Sequence, residues 1–168
     1  MVRRLCLLVG LALLASLPAH AQLFGEKIEL SGGYSFVRFR STPQANLNGF
    51  EFSGQYKLFP WLGGVADVGK NYGSIGGVES TVTTYLFGVQ AAWPARISPF
   101  VRLMAGHGGF FGGGFTASSL TEDGGFGVDV RWKHGFSWRV LEGDYLRTNF
   151  QSHVQGNIRV STGIVFRF

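Results

Sequence analysis

Apolar and polar positions alternate with a period of two along most of this chain. The clearest case is its last stretch, 156–168, which reads GNIRVSTGIVFRF. Ile158, Val160, Thr162, Ile164, Phe166 and Phe168 fall on one parity, and Arg159, Ser161, Gly163 and Arg167 on the other. In a β-strand successive side chains point to opposite faces, so this stretch has one apolar and one polar face. The same pattern predicts seven earlier strands, at 27–36, 50–58, 62–72, 85–93, 99–105, 126–132 and 136–145. Each runs for about ten residues, near the length a tilted strand needs to cross a bilayer.

The connections also alternate. Phe59-Pro60-Trp61, Pro94 to Ser98 and Lys133-His134-Gly135 read as short turns. Between the other strands, 40–47, 73–80, 107–123 and 147–155 read as long loops, rich in Gly, Ser or Pro. An even strand count with long loops on one side predicts an all-β fold, an eight-stranded antiparallel up-and-down transmembrane barrel. Such a sheet must close, because lipid offers no partner for an exposed edge. Aromatic residues gather at both strand ends. Phe59, Trp61, Trp93, Trp132, Phe136, Trp138, Phe166 and Phe168 lie toward the short turns, and Tyr34, Phe36, Phe50, Tyr72, Tyr85 and Tyr145 toward the long loops. Two girdles suit two membrane–water interfaces.

Residues 1–21 have the anatomy of a secretory signal. Arg3 and Arg4 precede an apolar run from Leu5 to Leu17, and Ala19-His20-Ala21 is a small-x-small cleavage site. The run is too short for a spanning helix, which needs about 20 apolar residues. Cleavage leaves a mature domain of residues 22–168 that begins at Gln22. Cys6, the single cysteine, leaves with the leader, so no thiol chemistry is expected of the mature chain. Loss of Arg3 and Arg4 lowers the formal charge from +5 to +3, and no basic run remains to suggest nucleic acid.

At this point the chain resembles the small bacterial outer-membrane β-barrels of Gram-negative cell envelopes, the OmpA transmembrane-domain and OmpX type. The likeness rests on the opening ELSGGYSFVRF, the blocks NLNGFEFSGQY and PWLGGVAD, SPFVRLMAG, GFGVDVRW, DYLRT, and the terminal IVFRF. It covers residues 24–168 and implies outer-membrane localisation. It also implies that Val160, Thr162, Ile164, Phe166 and Phe168 form the signal read by the barrel-assembly machinery. The partners it implies are outer-membrane lipid or lipopolysaccharide, and periplasmic chaperones during biogenesis. A monomer is expected, with no peptidoglycan-binding domain after the barrel.

Parity assigns Glu29, Glu51, Asp67, Asp129, Glu142 and Asp144 to the interior, with Lys57, Arg102, Arg131, Arg159 and Arg167. Six acids against five bases nearly balance, and an eight-stranded barrel is just wide enough for side chains to fill it. A salt-bridge plug is the first reading, and a narrow or gated ion path the second. Arg139 has the wrong parity for this set, so it needs a bulge or must snorkel at the periplasmic rim.

Catalytic signals are weak. Lipid A deacylases place a His and a Ser together near the last strand, and Ser152, His153 and Asn157 occupy that region here. Adjacent residues on a strand point apart, however, and the stretch reads HVQGN rather than the His-x-Ser-Asn order of those enzymes. His107 and His134, placed in a loop and a turn, have no companion at metal-ligand spacing. The run GGFFGGG lacks the Lys-Ser/Thr of a phosphate loop and reads as a mobile surface loop. It would present Phe110, Phe111 and Phe115 to lipid headgroups or a partner. No enzyme activity, cofactor or metal is expected. A secreted lipocalin-like binder is disfavoured, because its barrel would be apolar inside and polar outside.

Overall fold

In the computed structural model the described residues are 26–39, 44–132, 135–150 and 153–168. The expected leader with Ala19, Ala21 and Gln22 lies outside them, as do His134 and Ser152. Eight strands follow one another: β1 (Ile28–Phe39), β2 (Ala45–Phe59), β3 (Leu62–Ile75), β4 (Val78–Ala92), β5 (Ile97–Gly112), β6 (Phe115–Arg131), β7 (Phe136–Phe150) and β8 (His153–Arg167). Each pairs antiparallel with its neighbours in sequence, and β8 pairs with β1 to close the barrel.

The strands are longer than the alternation alone predicts, 12 residues in β1 and up to 17 in β6. Three of the expected long loops, 73–80, 107–123 and 147–155, are largely continuations of the ladder, and β2 begins inside the fourth, at Ala45. The Gly/Ser segment 73–80 is a tight hairpin about Gly76 and Gly77, with φ of 61° and 84°. GGFFGGG is not a loop either. It ends β5 and turns at Gly113 and Gly114, with φ of 59° and 78°. Two consecutive positive-φ residues suit the right-handed twist of a hairpin, and only glycine adopts that pair without strain. His107 therefore sits on a strand, opposite Tyr85 and Leu120.

The reason these extensions escape the pattern is physical. At the hairpin end the sense of the alternation reverses. Val37, Phe39, Ala45, Leu47 and Val82 point inward and form a buried apolar cluster, with Ile75 and Phe110 packed against it. Arg38, Asn46, Asn48 and Glu79 are exposed there. Below that level the exterior is apolar, with Phe52 64 %, Phe87 66 %, Leu103 69 % and Phe126 64 % exposed. The indoles of Trp61, Trp93, Trp132 and Trp138 ring the turn end, and Tyr34, Tyr72, Tyr85 and Tyr145 are exposed toward the hairpin end.

Closure brings two glycines face to face. Gly33 of β1 is the register partner of Gly163 of β8. A Cβ on Gly163 would strike the carbonyl of Gly32, and one on Gly33 the carbonyl of Thr162. The close approach requires glycine at both sites. Gly163→Val is expected to weaken the β1–β8 seam by about 2 kcal/mol or more, read as a lower midpoint for loss of the compact, heat-modifiable gel band. Gly109→Val, with its nearest neighbour 3.8 Å away, should leave that midpoint unchanged.

Candidate functional site

The bore holds an alternating chain of acids and bases. Starting at the turn end, Lys57 pairs with Glu29. Arg167 Nε then donates to Glu29 Oε1 at 2.5 Å, and its NH2 to Asp129 Oδ2 at 3.1 Å. Arg139 grips Asp129 with Nε at 2.9 Å and NH2 at 3.3 Å, and reaches Glu142 Oε2 through NH1 at 2.7 Å. Glu142 in turn pairs with Arg102. Arg102 donates twice to Asp144, at 3.1 and 2.9 Å. Asp144 is shared with Arg159, whose Nε donates to it at 2.9 Å. Arg159 also donates to Asp67 at 3.0 Å and lies 3.4 Å from Glu51. Planar guanidinium forks suit this work, since each can serve two or three carboxylates at once.

Arg102 is 1 % exposed and Arg159 0 %. Arg102 stands on β5 and Arg159 on β8, and their partners come from β2, β3, β6 and β7, so these two side chains cross-link most of the barrel wall. Neutral groups complete the packing. Ser161 Oγ donates to Glu51 at 2.9 Å, Gln90 Nε2 to Gln55 Oε1 at 2.8 Å, and Ser35 Oγ to Asn71 at 2.6 Å. Val65, Leu86, Met104 and Leu146 make a small apolar cluster beside the charges.

Of the eleven charged residues assigned to the interior by parity, ten lie inside it. Arg131 is the departure. It is the last residue of β6, so no wall continues below it. Its side chain is 34 % exposed, and its guanidinium lies 4.0 Å from Glu26 at the rim. Two further charges join the bore. Arg139 turns inward because β7 carries an extra residue, with the register shifting between Arg139 and Glu142 against β8 and at the same place against β6. Val140 and Leu141 are consequently both exposed, at 37 % and 49 %. Snorkelling to the rim is thereby excluded, and the Arg139 guanidinium instead stacks 4.4 Å from the Phe100 ring centroid. Asp123, assigned to a loop by sequence, is 3 % exposed and 3.7 Å from both Arg102 and Arg159. Its parity with Asp129 was the available signal, hidden by the glycines between them.

The residues assigned to the assembly signal occupy the outward face of β8. Val160, Ile164, Phe166 and Phe168 are 39–47 % exposed. Thr162 is exposed too, and its hydroxyl donates to the Arg139 carbonyl at 3.0 Å. A bulge disturbs the ladder locally, and Thr162 satisfies a backbone group there. Asn157 is buried, and its amide donates to Thr148 Oγ1 at 3.4 Å. It faces the bore. Carboxylate oxygens of Glu51, Glu142 and Asp144 come within 4.8 Å of one another. Each of these carboxylates is paired with an arginine, so their charge is met by guanidinium.

No protein-family model and no curated sequence matches the chain. Solved structures do. Neisserial surface protein A (NspA) superposes with a TM-score of 0.65 at 13 % identity, covering 86 % of this chain and 99 % of that one. The N-terminal β-barrel domain of Pseudomonas aeruginosa OprF gives 0.58 at 14 %, covering 86 % and 99 %. Ail, the attachment invasion locus protein of Yersinia pestis, gives 0.57 at 18 %, covering 84 % and 99 %. The fold is that of the small outer-membrane β-barrels.

Removing a central cation leaves buried carboxylates uncompensated. Arg159→Ala is expected to lower stability by about 3–5 kcal/mol, measured from the urea midpoint of the folded barrel in detergent. Thr162→Val should cost about 1–3 kcal/mol by orphaning the bulge carbonyl.

Proposed function

We propose that this chain is an integral outer-membrane barrel with a sealed bore, serving a structural and surface-interaction role rather than transport or catalysis. The observation that carries this reading is the crossing of the bore by Arg102 and Arg159, both fully buried and engaged by carboxylates from four strands. The apolar cluster of Val37, Phe39, Leu47 and Val82 adds a second barrier at the hairpin end. Water and ions entering there meet first an apolar patch and then charges already neutralised by one another.

A membrane setting follows from the exterior. Aromatic and aliphatic side chains cover the barrel wall on every strand, far beyond the apolar patch of a few hundred Å2 that soluble monomers expose. The fold likeness to outer-membrane barrels supports the outer membrane in particular. The turn end, which also holds both strand termini, then faces the periplasm and the glycine hairpins face outward.

Outer membranes from cells expressing the full-length gene should contain the chain as a band that shifts on boiling. The purified protein in planar bilayers at neutral pH should show no steady conductance. A steady open channel would replace the sealed barrel with the gated ion path.

A further inference from the structure

The exterior at the turn end carries a groove that the sealed-bore reading does not use. It has a volume of about 390 Å3 and is lined by Trp61, Ala91, Ala92, Trp93, Pro99 and Val101. Its lining is apolar, with small Ala91 and Ala92 among large neighbours. Ala91 pairs with Val101 and Leu62, which fixes the groove across β3, β4 and β5. The outward indoles of Trp61 and Trp93 are 54 % and 70 % exposed.

One residue further along the chain the chemistry changes. Pro94, Ala95, Arg96, Val130, Arg131 and Trp132 line a second hollow of about 730 Å3. The two arginines are held together by backbone, since Arg131 N donates to the Arg96 carbonyl at 2.8 Å. Among the described residues Arg131 Nε makes no hydrogen bond, and Glu26, 4.0 Å from Arg131 NH1, is the one acid paired with this side chain. Lys27 and Lys57 stand near by, lining a neighbouring cavity with Arg131 and Pro94.

The connection between the two hollows is rigid. Trp93 N donates to the Pro99 carbonyl at 2.9 Å, Ser98 Oγ to the Trp93 carbonyl at 2.6 Å, and Ala95 N to the same carbonyl at 2.9 Å. Pro94 and Pro99 fix φ at either end. A ligand meeting this surface therefore has little ordering left to impose on it.

We propose that the groove and the arginine hollow together form a site for one anionic phospholipid of the inner leaflet. The inference rests on the outer-membrane orientation argued above. An acyl chain lies along the groove between the tryptophans, and the phosphate meets Arg96 and Arg131. Two guanidiniums against one carboxylate leave a net positive hollow, which repels the ammonium of a zwitterionic headgroup. The site therefore selects headgroups that carry no cation.

The test uses the mature barrel in nanodiscs of equimolar phosphatidylglycerol and phosphatidylethanolamine, with retained lipid read by native mass spectrometry. Phosphatidylglycerol should be retained about tenfold over phosphatidylethanolamine, the scale of one charge-assisted hydrogen bond. The R96Q/R131Q double variant should erase that preference, and Ala91→Leu should lower retention of both lipids. Equal retention by the unaltered protein, preference for phosphatidylethanolamine, or an undiminished preference in R96Q/R131Q would overturn the proposal. Failure of the chain to enter nanodiscs or to shift on boiling would instead strike the membrane reading on which it rests.

Discussion

Closure of the hydrogen-bond ladder is the constraint from which the rest follows. In a lipid environment an unpaired strand edge would expose a row of N–H and C=O groups with no partner. The β1–β8 pairing removes that edge, and from Glu29↔Arg167 to Arg38↔Ile158 it leaves no gap. Once the sheet is a cylinder, strand geometry allows a side chain only two destinations, bore or exterior. The glycines at the seam and the threonine at the bulge serve this same requirement. One lets two backbones approach, and the other supplies a donor where the ladder is disturbed.

Sorting by parity then sets the energetics of the bore. Charges excluded from the apolar exterior must go inside, where burying each alone would be very costly. The chain meets that cost by alternation: Lys57, Glu29, Arg167, Asp129, Arg139, Glu142, Arg102, Asp144 and Arg159 form one connected series. Buried ion pairs of this kind are poor evidence of net stabilisation, because desolvation offsets much of the attraction. Their effect is on specificity. A slip of one residue in a charge-bearing strand would carry its charges to the exterior, so the network penalises every odd shift of register.

Much of this was legible in the sequence because membrane strands obey a strict two-way rule. The strand count, the closed fold and ten of the eleven interior charges follow from parity. The failures fall where the rule lapses. Arg139 breaks parity because of the extra residue at Val140–Leu141, and a bulge leaves no mark in composition. Asp123 was lost among glycines, which show no preference for either face. Arg131 obeyed parity but stands at a strand end, where facing inward means facing the rim. The strand extensions were missed because beyond the girdle the pattern inverts, with Val37, Phe39 and Leu47 inside.

That inversion has a functional consequence. At the hairpin end β1, β2 and β4 turn apolar side chains inward, and Arg38, Asn46, Asn48 and Glu79 point outward, the reverse of the pattern lower down. On the sealed-bore reading, the two ends of the bore are closed by different physics. The charged layer holds through electrostatics, and its strength depends on every acid keeping its base. The apolar layer above it holds by exclusion of water and depends on close packing alone. A solute entering from the hairpin end therefore meets this apolar cluster, with buried Ser80 and Ser119 beside it, before it can compete for any charge. Rearrangement of the salt bridges by itself would leave that upper layer in place, and for this reason a sealed barrel accounts for the interior better than a charge-gated one.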